Sequence, residues 1–215
     1  MKKTATILAA LGLSVASSIA GPMPPVHAGP PPPPASDPCA GPISYNSLEV
    51  LYANTNGDFK ADDADGIRVN FEYSPASNFY VRITGAYDSA NIWDEWNLSA
   101  GIGGYIALTE NIHAAIDGGL IYSDFSKDDT DPRLNFSNAF SDNDTGWYVR
   151  PHLRAKFGCF EIQAGATYKD IFNDTNWDWF AQVYYQVAQG WDISAGWNEG
   201  VAEADVWTVG VRKRF

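Results

Sequence analysis

Asp205-Val-Trp-Thr-Val-Gly-Val-Arg-Lys-Arg-Phe215 decides the fold. Trp207, Val209, Val211 and Phe215 fall on one side at period two, with Thr208, Gly210, Arg212 and Arg214 on the other. A ribbon that is apolar on one face and charged on the other belongs between lipid and a polar interior. It stops on an aromatic, and the segments upstream read as further strands that close a ring with it.

Ten such segments are expected, at 43–53, 66–74, 79–87, 95–108, 111–123, 146–157, 159–169, 177–188, 191–198 and 205–215. The second is the plainest: Ile67, Val69, Phe71 and Tyr73 face one way, and Arg68, Asn70 and Glu72 the other. The sixth repeats it, with Trp147, Val149, Leu153 and Phe157 set against Tyr148, Arg150, His152, Arg154 and Lys156. A helical reading fails because the charges recur at period two and β-branched, aromatic and glycine residues dominate. A soluble sandwich would alternate as well, but its polar face would meet water. Here aromatics gather at both ends of the apolar faces, while charged and small residues share the polar faces. The expected fold is all-β, a closed antiparallel transmembrane β-barrel over 43–215, of ten strands with eight as the alternative count.

Upstream of the barrel, residues 1–20 have the form of a secretory signal peptide: Lys2 and Lys3, a short apolar run, then cleavage after Ala20 or as late as Ala28. The run falls short of the roughly 18 to 20 apolar residues of a membrane-crossing helix. Residues 21–42 form a Pro-rich periplasmic linker around Gly29-Pro-Pro-Pro-Pro-Pro-Ala35, which cannot donate to a sheet. It serves either as a spacer or as a segment folded back across the barrel mouth. Cys39 and Cys159 both fall at the periplasmic end and can bridge there or stay as two thiols.

Connections set the orientation. Ser74-Pro-Ala-Ser-Asn78, Thr109-Glu110, Gly158 and Ala188-Gln-Gly190 are tight; Asn54–Asp65, Asp88–Asp94, Asp124–Thr145, Asp170–Asn176 and Glu199–Ala204 are long. Short turns belong to the periplasm and long loops to the exterior. Tyr87, Trp96, Tyr122, Trp147, Trp177, Trp179, Trp197 and Trp207 form a loop-side girdle. Tyr73, Phe79, Phe157, Phe160, Tyr185, Trp191 and Phe215 form one on the turn side.

With its signal peptide, alternating strands, unequal connections and terminal Phe215, the chain resembles the small bacterial outer-membrane β-barrel superfamily, of the outer-membrane protein A-like and porin-like type. The likeness covers about Ile43 to Phe215. It implies the cell outer membrane after Sec-type export, contact with outer-membrane lipid and lipopolysaccharide, and insertion by the barrel assembly machinery. Val209, Val211 and Phe215 match the family's assembly signal. Ten strands depart from the usual eight.

Arg68, Glu72, Arg82, Asp117, Arg150, His152, Arg154, Lys156, Glu161 and Arg212 are the expected lumenal polar network, joined by His113, Lys169, Asp178, Asp192 and Arg214. Pairing Tyr122 with Trp147 would set Asp117 opposite His152, and pairing Phe157 with Phe160 would set Lys156 opposite Glu161. Such opposed charges neutralise one another where a lone charge is costly. An Asp–His pair also orients general bases, yet no nucleophile accompanies it, and no catalytic residue, cofactor or metal ligand is expected. Tyr80, Tyr105, Tyr148, Phe180 and Tyr184 are expected to fill the interior, because a barrel near eight strands is filled by its own side chains.

The net charge of −12 lies mostly in the loops, which hold eighteen of the 26 carboxylates against Lys60, Lys127 and Arg133. That balance excludes nucleic acid, which needs a basic footprint. Asn56-Gly-Asp58 and Asp62-Asp63 lack calcium-loop spacing and read as solvated loop. Loop 124–145 is the longest and the expected interaction surface; its Leu134, Phe136 and Phe140 are expected to pack inward as a local lid, with anchoring of an extracellular ligand as the alternative. The expected role is structural or surface interaction, with a narrow ion pore as the alternative and an enzyme behind both.

Overall fold

The computed structural model describes Cys39 and residues 41–56, 63–90, 93–127, 140–172, 174–199 and 205–215. The signal peptide and most of the Pro-rich linker lie outside them. Ten strands follow in order: β1 (Ser47–Asn56), β2 (Ala64–Ala76), β3 (Phe79–Ser89), β4 (Trp93–Thr109), β5 (Ile112–Lys127), β6 (Phe140–Phe157), β7 (Phe160–Ile171), β8 (Asp174–Ala188), β9 (Trp191–Glu199) and β10 (Asp205–Arg214). Each pairs antiparallel with its sequence neighbours, and β1 pairs with β10 to close the barrel. Closure leaves no strand edge, the only way a sheet satisfies its backbone groups in hydrocarbon. Among the described residues no helix is long and apolar enough to cross a membrane.

The faces divide as the period-two pattern requires. Leu48, Val50 and Tyr52 of β1 point outward and are exposed, whereas Ser47, Glu49 and Leu51 are buried inside. On β10 Trp207, Val209 and Val211 are exposed outside, while Thr208 and Arg212 are buried. Both girdles are in place: Trp96, Tyr122, Trp147, Trp177, Trp179 and Trp207 stand exposed at the loop side, and Tyr73, Phe157, Phe160, Tyr185, Trp191 and Phe215 at the turn side. An apolar exterior around a charged interior makes this a transmembrane barrel.

Carboxylates tie down part of the loop-side girdle. Tyr52 donates to Asp65, Tyr87 to Asp94 at 3.0 Å, Trp147 to Asp170 at 3.0 Å and Trp197 to Asp205 at 2.6 Å. These four acids, counted by sequence among the free loop charge, are therefore acceptors for interfacial rings. At the other end Asn78, Gly158 and Gly190 adopt positive φ of 66°, 59° and 70°, which lets the turns reverse tightly.

Three expectations change. The first strand begins at Ser47 rather than 43, because Ile43 and Tyr45 turn into the lumen and are buried there. Strands β4, β5 and β6 reach 17, 16 and 18 residues. A crossing needs only about 9–11, so these strands continue past the loop-side girdle. They absorb both roots of loop 124–145, and Phe140 opens β6; Leu134 and Phe136 lie outside the described residues.

The third change is register. Leu120, not Tyr122, faces Trp147, so Asp117 lies opposite Arg150 and His152 opposite Ala115. Tyr148 gives the reason. In the expected register it would meet the Ile121 side chain, whereas here it faces Gly119 and its ring passes over Gly101. A Cβ on Gly101 would lie 2.4 Å from the Tyr148 hydroxyl, and one on Gly103 would lie 2.4 Å from Cζ of Tyr80. Glycine is needed at both positions because two tyrosines lie flat across the β4 wall. A Gly103→Val substitution should therefore destabilise the barrel by about 1–3 kcal/mol through overpacking, read as a lower temperature for loss of the compact, heat-modifiable band on detergent gels.

Candidate functional site: a lumen in two halves

The sequence-derived lumenal residues all point inward, and the structure joins seven of them into one chain of alternating charge. Arg82 of β3 pairs with Glu72 of β2 at 3.0 Å, and Arg154 of β6 reaches the other Glu72 oxygen at 3.0 Å. Arg154 also donates from Nε to Glu161 of β7 at 2.9 Å. Arg212 of β10 takes Glu161 at 2.9 Å and Asp192 of β9 at 2.7 Å, and Arg214 closes on Asp192 at 2.9 Å. Strand β2 stands four places from β6 in a ring of ten, so the Glu72–Arg154 bond spans the lumen. Arg154 is fully buried and Glu161 nearly so.

Asp117 and His152 meet diagonally rather than face to face, with Nδ1 3.6 Å from the carboxylate. The same nitrogen donates to the Arg150 carbonyl at 3.2 Å, and Tyr80 donates its hydroxyl to Asp117 at 2.9 Å. The carboxylate is thus engaged by a buried phenol. Lys156 and Glu161 are opposed as expected, but Lys156 donates to the Gly41 carbonyl at 2.8 Å, and two arginines take Glu161.

Below this chain of charge the N-terminal segment enters the turn-side mouth. Cys39 and Cys159 are joined by a disulfide, which ties the segment to the β6–β7 turn. Tyr45 stacks on Tyr105 at 4.1 Å and Tyr80 at 4.8 Å, with His113 at 5.9 Å. The Arg154 guanidinium lies 4.4 Å over the same ring and donates to the Ser44 carbonyl at 2.9 Å. Asn46 ends the segment: its carbonyl accepts from the Phe215 amide at 3.2 Å, and its side chain accepts from the Ser74 amide at 2.8 Å. Of the linker read at 21–42, only Cys39, Gly41 and Pro42 are among the described residues; the residues that enter the mouth, Ile43–Asn46, are those read from sequence as the start of the first strand.

Above the charge chain the lumen differs from the filled interior expected of ten strands. A cavity of about 790 Å³ runs from Glu49, Glu72 and Arg212 to Thr55, Trp93, Phe125, Asp142 and Ile171 at the loop-side strand ends. Arg68, Arg82, Arg150, Lys169 and Asp178 line it, as do Tyr148, Phe180 and Tyr184, so three of the five rings expected to fill the interior form its walls, while Tyr80 and Tyr105 pack on Tyr45 below. Arg68 faces Asp88 at 3.7 Å and donates to Asn198 at 2.9 Å, and Lys169 pairs with Asp178.

Sequence reading missed two participants. Glu49, buried on β1, accepts from Asn70 at 2.9 Å and Ser194 at 3.0 Å; its alternation with Leu48 and Val50 was the available signal. Tyr45 shares the odd-numbered, inward face of Ser47, Glu49 and Leu51, which signals a lumenal side chain, but nothing in the sequence marks its departure from the sheet. Among the described residues no group of His, Cys, Asp and Glu could hold a metal ion. Val209 and Val211 lie exposed on the outer face of β10, and the exposed Phe215 ring lies 6.4 Å from Phe71.

Replacing Arg154 with Ala strands Glu72 and Glu161 without their shared cation. The loss should be about 3–5 kcal/mol, the cost of breaking a buried pair from one side. Urea unfolding in detergent micelles, followed by tryptophan fluorescence, measures it. Arg154→Ala combined with Glu72→Gln should recover part of that loss.

No protein-family model matches the chain, and no curated protein matches it. Solved structures similar to it include the translocator domain of the autotransporter NalP from Neisseria meningitidis, at 13% identity over 79% of this chain and 87% of that one, with a TM-score of 0.46. The N-terminal β-barrel domain of Pseudomonas aeruginosa OprF is 11% identical over 79% and 98%, with a TM-score of 0.43. The KdgM porin is 13% identical over 79% and 99%, with a TM-score of 0.42. Likeness at these identities and scores is confined to barrel shape, and the reading of this chain as a ten-stranded transmembrane barrel stands on its own closure and faces.

Proposed function

We propose that this chain is an integral outer-membrane barrel that is closed to passage, does no chemistry and works through its loop side. One observation carries the reading: the charge chain from Arg82 to Arg214 crosses the lumen directly above the disulfide-tethered segment that ends at Asn46. Moving an ion along the axis would require breaking buried pairs that hold each other's charge, and each such break is expensive. The Asp117–His152 contact supports a structural role over a catalytic one, since both side chains are buried, Tyr80 holds one Asp117 oxygen, the Arg150 carbonyl holds Nδ1, and neither residue lines the loop-side cavity.

Export by a Sec-type signal peptide, insertion by the barrel assembly machinery through Val209, Val211 and Phe215, and contact with lipopolysaccharide belong to the same proposal. The acidic loops keep that surface solvated, and loop 124–145 offers it an attachment point for an extracellular partner. The 790 Å³ cavity favours the second reading, a narrow pore, because it brings open space with charged side chains on its walls from the loop-side strand ends down to Glu72 and Arg212.

Planar-bilayer recording of the purified, folded protein decides between them. A closed barrel should insert without discrete conductance steps, whereas steady steps would establish the pore. Recovery of the protein in soluble envelope washes, without surfactant, would remove both.

A further inference from the structure

Hydrogen-bond donors collect without acceptors on one wall of the loop-side cavity. Arg68, Arg82, Arg154, Arg212 and Arg214 each lie 3.7 Å or less from a carboxylate. Arg150 does not: among the described residues it forms no ion pair and its guanidinium donates no hydrogen bond, but lies 4.0 Å over the Phe180 ring. On the strands beside it, Gln163 of β7 and Gln182 of β8 face each other across the ladder. Both carboxamide nitrogens are buried without an acceptor, and Gln163 is only 3% exposed. All three side chains line the same cavity.

Buried donors without partners are uncommon in folded proteins, and such exceptions call for a reason. A guanidinium stacked on an aromatic face is also held in one orientation, which leaves its planar edge free for bidentate contact with an oxyanion. We infer that Arg150, Gln163 and Gln182 bind the oxyanion group (carboxylate, phosphate or sulfate) of a small ligand that enters from the loop side, with Phe180 bracing the arginine.

Cavity size and charge limit the ligand further. A volume of about 790 Å³ falls within the roughly 300–1,000 Å³ that small-molecule sites occupy. Nearer the loop-side ends, Asp88 and Asp178 already engage Arg68 and Lys169, while Glu95 and Asp142 add negative charge to the lining. A polyanion long enough to leave the cavity would lie against those acids. The site therefore selects a ligand with its charge at one end and a neutral body above it.

The inference rests on the proposal that the loop side faces the exterior, and its test separates the two. Isothermal titration of the full, folded chain in neutral detergent at low salt would use inorganic phosphate and glucose 6-phosphate as probes, with glucose as the uncharged control. Saturable binding of either phosphate, absent for glucose, is expected. Arg150→Gln should weaken it by about tenfold or more, as loss of a charged hydrogen-bond donor implies. Gln163→Leu, which leaves every lumenal charge in place, should weaken it as well. Heat-modifiable mobility reports that each variant is folded.

No saturable binding by the wild-type barrel, or undiminished binding by both folded variants, overturns the site. Conductance together with Arg150-dependent binding would remove the closed-barrel reading and leave the site standing. A silent barrel that binds neither phosphate would do the reverse.

Discussion

Arg154 and the two carboxylates it joins, Glu72 and Glu161, hold the rest of the structure in relation. The contact links strands four places apart in the ring of ten, so it ties together walls whose separation strand number and stagger fix. Inside a lumen shielded from water, an uncompensated charge is too costly to persist, and each member of the chain from Arg82 to Arg214 is neutralised by its neighbours. Buried pairs of this kind add little net stability over apolar packing of equal volume. Their contribution here is to define one arrangement. The turn-side segment depends on it through the Ser44 carbonyl and the Tyr45 ring, both held by the same guanidinium. The floor of the cavity depends on it through Glu72 and Arg212.

Around that chain, side-chain volume settles the register. Tyr80 and Tyr148 extend across β4, where Gly103 and Gly101 leave room for them, and a slip of two residues between β5 and β6 would drive Tyr148 into Ile121. The bare inner face of β4 and the crowded inner faces of β3 and β6 are two sides of one fit. Outside, backbone closure and the two aromatic girdles meet the separate demand of lipid, which tolerates neither an open edge nor an exposed charge.

Much of this was legible in the residues. Ile67 to Tyr73 and Trp207 to Val211 announce period-two faces, and the tight turns at Ser74–Asn78 and Gly158 mark one rim. All ten strands, and the inward direction of the lumenal charges, follow from those local signals, since alternation along a strand is a property of the backbone itself. What stayed illegible depends on residues distant in the chain. Tyr45, alternating with Ser44 and Asn46, resembles strand, yet it leaves the sheet to stack on Tyr80, Tyr105 and His113. The contact of Lys156 with Gly41, and the sharing of Glu161 between Arg154 and Arg212, involve partners that no spacing rule connects.

The sequence by itself determined that this is a closed transmembrane barrel with a charged interior, an apolar exterior and two aromatic rims, because a two-residue repeat and a turn's chemistry are short-range matters. Only the tertiary structure decided which charges meet, where the lumen is packed and where it stays open, and that the segment before β1 lies within the mouth. Those outcomes turn on the ring's diameter and on side chains reaching across it, and distances across a closed sheet appear only once all ten strands are in place.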